Sequence, residues 1–153
     1  MVAVLAYAGL SAHELRGLER KDLIESKGRR FLRVTPSDER GLKSHKRRRN
    51  VAISSRLAPI LDAHLAEVEG DYLFPSLVPN KDGTALWSRE RLSRCLGTWL
   101  PDGMDALSLR RTFGSLLIRS GKSAEEVSAA MGNSAKMVTA HYGRILGGEV
   151  EID

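Results

Sequence analysis

Apolar positions fall into short blocks whose period changes along the chain. The first block, Val2 to Ala12, is uncharged, too short to span a bilayer, and lacks the basic flank of a secretory signal, so it reads as core. Ser11-Ala-His-Glu14 is an S-x-x-E capping box, which predicts a helix after Ser11 carrying Leu15 and Leu18 inward. Short strands are predicted at Asp22 to Ile24, Phe31 to Thr35 and Val51 to Ile53. Lys27-Gly28 makes the turn between the first two, and a polar loop, Pro36 to Asn50, joins the second to the third. A helix should follow from Ser55, with Leu57, Ile60, Leu61, Leu65 and Val68 on one stripe and Gly70 as the stop. Asp71 to Leu86 reads mostly as connection, with Pro75, Pro79 and Gly83.

In the second half, Ser88 can cap a helix whose stripe is Leu92, Cys95, Leu96 and Trp99, ended by Pro101 and Gly103. Ser108 is read as the cap of the next, with Leu109, Phe113, Leu116 and Leu117 buried and Gly121 as the end. Ser123-Ala-Glu-Glu126 is a second capping box for a short helix closed by Gly132. A last helix should run from Ser134 to about Ile145, ended by Gly147-Gly148. The pattern predicts a single mainly α domain, residues 1–153, with a small three-stranded antiparallel sheet near its start (α+β), without repeats or linkers.

Composition narrows this picture. The 153 residues make about one domain, with 42% apolar and 28% charged residues, the balance of a globular protein. One cysteine, Cys95, excludes an internal disulfide framework and a cysteine-built zinc site, and fits a reducing, cytoplasmic setting. Lys and Arg number 24 against 19 acids, a net charge of +5. Three of the acids, Glu149, Glu151 and Asp153, lie in the last six residues, so the remainder carries +8. A basic body favours a polyanionic partner through counterion release.

Three clusters could carry chemistry. Lys43, Lys46, Arg47, Arg48 and Arg49 crowd five cations into seven residues beside a predicted hairpin. Such a run needs solvent or an anion, and its place beside a hairpin suits contact with DNA phosphates. Arg110 and Arg111 are predicted in the first turn of a helix, where the dipole disfavours cations; on the residues alone, either both point into water or they are recruited to hold a phosphate beside free backbone N–H groups. Tyr142 shares a helical face with Val138 at i, i+4, the placement of a half-buried core tyrosine.

Taken together, these stretches resemble the catalytic domain of the tyrosine recombinases, the phage-type integrases. Residues 7–18, Tyr-Ala-Gly-Leu-Ser-Ala-His-Glu-Leu-Arg-Gly-Leu, are similar to the family's first box. Lys43 before the basic strand ending Val51-Ala-Ile53 matches its hairpin lysine, and Leu-Arg-Arg-Thr-Phe-Gly-Ser, 109–115, resembles its second arginine box. Met-Gly-Asn-Ser, 131–134, with Tyr142 nine residues after Asn133, has its spacing to the tyrosine.

The resemblance implies attack of Tyr142 on a DNA phosphodiester, leaving a 3′-phosphotyrosine and a free 5′-hydroxyl, without metal, ATP or any other cofactor. It assigns catalytic places to Tyr142, Arg110, Lys43 and Asn133, and DNA contact to Lys46, Arg47, Arg48, Arg49 and Arg111. It implies double-stranded DNA as partner, with assembly on DNA with itself or a related recombinase, and no membrane. It also implies a separate N-terminal domain, for which the 153 residues leave no room.

Three positions depart from the pattern: Ser11 stands where the first-box arginine is expected, and Leu107 and Asn133 where histidines are expected. Arg16 lies about 140° around the helix from Ser11 and His13 on another face, so neither is expected to substitute. Losing one preorganised donor costs on the order of 10²–10³ in rate, and losing an acid–base partner roughly 10²–10⁴. Severely impaired cleavage is therefore expected, with DNA affinity less affected. The alternatives are a non-catalytic DNA-binding regulator and a decayed integrase fragment.

Overall fold

The computed structural model describes residues 1–35 and 48–146, with side chains in the last helix described as far as Tyr142. The apolar opening folds as helix α1 (Val2–Ala8), which buries Val4, Leu5 and Ala8. Gly9 ends it in the left-handed conformation, with φ 59°. Ser11 then caps α2 (Ala12–Arg16) with both halves of the capping box formed. A single 3-10 turn, Arg20–Asp22, leads into β1 (Leu23–Ser26). The Arg20 side chain reaches across to the end of the third helix, where Nε donates to the Gly70 carbonyl at 2.9 Å and Nη2 to the Val68 carbonyl. A cation is well placed against those unsatisfied carbonyls.

The sheet is a three-stranded antiparallel meander, β1, β2 (Arg29–Val34) and β3 (Arg49–Ala52). Leu32 sits at its centre, paired with Leu23 on one side and Val51 on the other. Lys27 and Gly28 both take positive φ, 51° and 69°, as a two-residue hairpin matched to strand twist requires. The strands are displaced by one or two residues from their predicted limits, the usual uncertainty of element ends.

Five helices follow among the described residues: α3 (Leu57–Glu67), α4 (Arg89–Gly97), α5 (Ala106–Arg119), α6 (Ala124–Met131) and α7 (Ala135–Leu146). Residues 71–86 form the predicted connection, tied to α4 by Arg91, whose Nη2 donates to Ser76 Oγ and the Val78 carbonyl, both at 2.6 Å. Two apolar clusters result. The larger joins α1, α2, the sheet, α3, α4 and the start of α5 around Leu5, Leu10, Leu15, Leu32, Leu57 and Leu92. The smaller joins α5, α6 and α7 through Ile118, Val127, Met131, Val138 and Tyr142. No helix among the described residues is long and apolar enough to cross a membrane.

Several helical stripes differ from their predicted course. Trp99 is 75% exposed, because α4 ends at Gly97 and the chain turns before the stripe's last position. Ile60 is 48% exposed, because α3 is anchored by the narrower line Leu57 and Leu61, with Leu65 partly buried beside it. The start of α5 is set by Asp105, not Ser108: the Asp105 carboxylate accepts from Ser108 N at 2.7 Å, and Ser108 is the third residue of the helix. Leu107 thereby falls in the first turn, and Arg110 and Arg111 in the second. The inward line of α5 is Arg110, Gly114 and Ile118, at i, i+4 and i+8, which rotates Leu116 to 57% exposure.

The junction of α1 and α2 packs on α5 without room for a side chain. A Cβ at Gly9 would lie 2.1 Å from a Phe113 ring carbon, and φ there is already positive. Gly9→Ala is expected to lower stability by about 1–3 kcal/mol. Urea denaturation should show a lower midpoint at unchanged slope.

Candidate functional site

The site is built around one carboxylate. Ser11 Oγ accepts the Glu14 N–H at 3.3 Å, and Glu14 Oε2 accepts the Ser11 N–H at 2.8 Å, so the capping box turns the Glu14 side chain inward. Its carboxylate is sealed from solvent. Arg49, from β3, grips it with both terminal nitrogens, Nη1 to Oε1 at 2.7 Å and Nη2 to Oε2 at 3.1 Å. Arg110, from α5, donates Nη1 to Oε2 at 3.2 Å. Burial alone would push the Glu14 carboxyl up; the hydrogen bond and charge of Arg49, the Ser11 N–H and the charge of Arg110 outweigh it and hold the carboxyl below the usual glutamate value.

The two arginines then reach beyond Glu14. Arg49 Nε donates to the Ala130 carbonyl at 2.8 Å, and its Nη1 would lie 2.6 Å from any Cβ at Gly132, so the α6–α7 turn needs glycine there. Arg110 Nη1 also donates to the Gly9 carbonyl at 2.7 Å, and its Nη2 donates to the Met131 carbonyl and to Asn133 Oδ1, the latter at 3.0 Å. Four of its five N–H donors are thus engaged by the protein itself.

Tyr142, from α7, packs on α5 one turn beyond Arg110, at Gly114. A Cβ at Gly114 would sit 2.6 Å from the Tyr142 Oη and 2.9 Å from Met131 Sδ, so the phenol occupies a seat that glycine leaves open. It is 6% exposed and belongs to the smaller apolar cluster. Burial pushes its pKa above the ordinary phenol value, and the charges of Arg110 and Arg111 offset this only in part. His141 faces outward, its ring edge-on to Tyr142 at 6.4 Å.

The structure therefore brings Arg110, Asn133 and Tyr142 to one face of α5, with Ser11 on the neighbouring turn. Lys43, Lys46 and Arg47 lie outside the described residues. Arg48 and Arg111 are exposed. Arg49 departs from its reading as a phosphate contact: its side chain is 7% exposed and faces Glu14, because β3 turns it toward the α1–α2 junction. Leu107 is half exposed at the mouth of a cleft of about 400 Å³ between α2, α4 and α5. His13 and Arg16 line that same cleft, whose lining includes none of Ser11, Arg110, Asn133 and Tyr142. Glu14 was legible only as half of a capping box; nothing in its spacing reveals that it collects two arginines from 35 and 96 residues away.

Two outcomes test this geometry. Glu14→Gln leaves two buried guanidiniums without their counter-charge and should cost about 3–5 kcal/mol in urea denaturation at neutral pH. Because the folded carboxyl titrates below its unfolded value near 4.3, its stabilisation is complete above that pH and drains away as pH falls through the folded pKa. The acid-side loss of stability should therefore be shallower in the variant than in the parent. Gly114→Ala should cost about 1–3 kcal/mol and return the Tyr142 ionisation, isolated by difference against Tyr142→Phe, toward pH ~10. An unmoved titration would show that the phenol is not seated on Gly114.

No protein-family model matches the chain, and no curated protein sequence matches it. Solved structures do. XerA recombinase is similar with a TM-score of 0.67 and 19% identity, over 91% of this chain and 50% of that one. XerH site-specific recombinase, bound to difH substrate in a pre-cleavage complex, gives 0.64 and 20% over 92% and 41%. The Tn1549 transposon integrase, in complex with a circular intermediate DNA, gives 0.65 and 17% over 92% and 52%. The chain spans about half the length of these proteins or less. The mainly helical body and its three-stranded antiparallel sheet thus have the tyrosine recombinase/integrase-like fold.

Proposed function

We propose that the chain is a DNA-binding domain of a site-specific recombination protein, in which cleavage through Tyr142 is impaired. The observation that carries this reading is the meeting of Arg110, Asn133 and Tyr142 on α5, in a fold shared with recombinases that were captured on DNA. Exposed Arg48 and Arg111, with Lys43, Lys46 and Arg47 from the basic run, supply the attraction for the duplex backbone.

The chemistry is transesterification. The Tyr142 oxygen forms a bond to phosphorus, the bond to the 5′ oxygen breaks, and that oxygen leaves as a hydroxyl after taking a proton. Four features oppose it. The phenol begins buried with a raised pKa, so it must be uncovered and deprotonated before attack. Arg110, the arginine whose charge bears most on the phenol, is engaged with Gly9, Glu14, Met131 and Asn133. Leu107 offers neither a proton nor a charge, and Ser11 is engaged in capping α2. The engagement of Arg110 favours a second reading, a DNA-binding regulator that does not cleave.

One preparation separates the two readings. Duplex binding should weaken steeply with salt, and alanine at Lys46, Arg47 and Arg48 should each reduce the slope by up to about 0.9. A nicked suicide duplex should give a slow covalent adduct that is absent in Tyr142→Phe. Binding without adduct selects the regulator, and no binding at low salt sinks both.

A further inference from the structure

The cleft between α2, α4 and α5 has a use that the catalytic resemblance does not supply. It holds about 400 Å³, within the range of ligand sites. Its lining is partly apolar, with Leu92, Leu96, Met104 and Leu107. It also includes Arg16, from the end of α2, and Arg89, the first residue of α4 and on the same face as Leu92 and Leu96, together with His13. Arg16 Nε is buried without a hydrogen-bond partner among the described residues. A charged donor withdrawn from water and unmatched by the protein is one that an acceptor from outside can satisfy.

Two carboxylates bear on this cleft. Asp105 lines the cleft, but its Oδ1 accepts from Ser108 N at 2.7 Å and Ser108 Oγ at 2.9 Å and so is turned to the cap of α5. Glu90 is exposed on α4, within electrostatic reach of Arg16 and Arg89. Neither hydrogen-bonds Arg16 Nε.

We propose that this cleft seats a phosphate of the DNA backbone, with Arg16 and Arg89 as its cationic ligands and the apolar side chains of the lining available to the adjoining deoxyribose. The inference rests on the DNA-binding reading above. A planar guanidinium fork suits phosphate oxygens better than a point charge does. The position is telling: the cleft borders Ala12, next to Ser11, and Leu107, the two places where the resemblance expects an arginine and a histidine. Arg16 thus brings a guanidinium to that end of the domain from the last residue of α2.

The test measures binding of a short mixed-sequence duplex across a salt series for the parent chain, Arg16→Ala, Arg89→Ala, and Arg119→Ala as an exposed control on the far end of α5. Arg16→Ala and Arg89→Ala should each lower the slope of log K against log salt by about 0.9. Arg119→Ala should leave it unchanged. Arg89 begins a helix at the surface, so its variant reports on the cleft even where Arg16→Ala fails to fold. Parent binding with undiminished slopes in both folded variants overturns the phosphate seat and leaves the DNA-binding reading standing. No binding by the parent overturns both. Inorganic phosphate added to the parent gives the second arm: a shift of the Arg16 Nε–H resonance, with duplex slopes unaffected by the variants, would assign the cleft to a free anion and overturn the DNA source.

Discussion

A carboxylate sealed from solvent between two guanidiniums is the constraint on which the rest of this structure depends. Glu14 could not carry its charge in the interior without Arg49 and Arg110, and neither arginine could be buried without Glu14. The three come from α2, β3 and α5, so the ion cluster brings together parts of the chain that local propensity would leave independent. The second set of donors on each arginine extends the tie to the α6–α7 turn, through the carbonyls of Ala130 and Met131. Sheet, N-terminal helices and C-terminal helices are thereby held in one register by polar contacts, while the two apolar clusters on either side provide the burial.

This arrangement divides the cations of the chain by role. Arg49 and Arg110 are directed inward and hold the fold. Arg48 and Arg111, their immediate neighbours in sequence, are directed outward and can meet a polyanion. Adjacent residues on a strand point to opposite faces, and adjacent residues on a helix lie about 100° apart. The same basic motif therefore serves structure and surface at once. The Arg110 guanidinium, held by two main-chain carbonyls, a carboxylate and an amide, has most of its donors committed within the fold.

The smaller cluster sets the condition on Tyr142. It contains few buried side chains, and α5 is the element that it shares with the larger core. Local opening of α6 and α7 would expose far less apolar surface than global unfolding and would therefore cost less free energy, although it must also break the bonds of Arg49 and Arg110 to the Ala130 and Met131 carbonyls. The phenol is attached to that end and rests on Gly114, where the missing side chain gives it room to lie flush with the helix.

The sequence by itself determined the helices with strong caps, at Ser11, Ser88 and Ser123, because a cap is a bond between residues three apart and needs no tertiary partner. It determined the first hairpin through Lys27-Gly28, and the resemblance of its spaced motifs pointed to the fold. Only the tertiary structure decided which cations are interior. The inward stripe of α5 runs Arg110, Gly114, Ile118, and hydrophobic periodicity cannot recognise a stripe led by an arginine and a glycine. It likewise decided that Arg49 leaves the basic run for Glu14, that Trp99 stays outside, and that Arg16 shares a cleft with Leu107. Each of these depends on a partner far away in the chain, and the distance between partners is what a one-dimensional pattern does not contain.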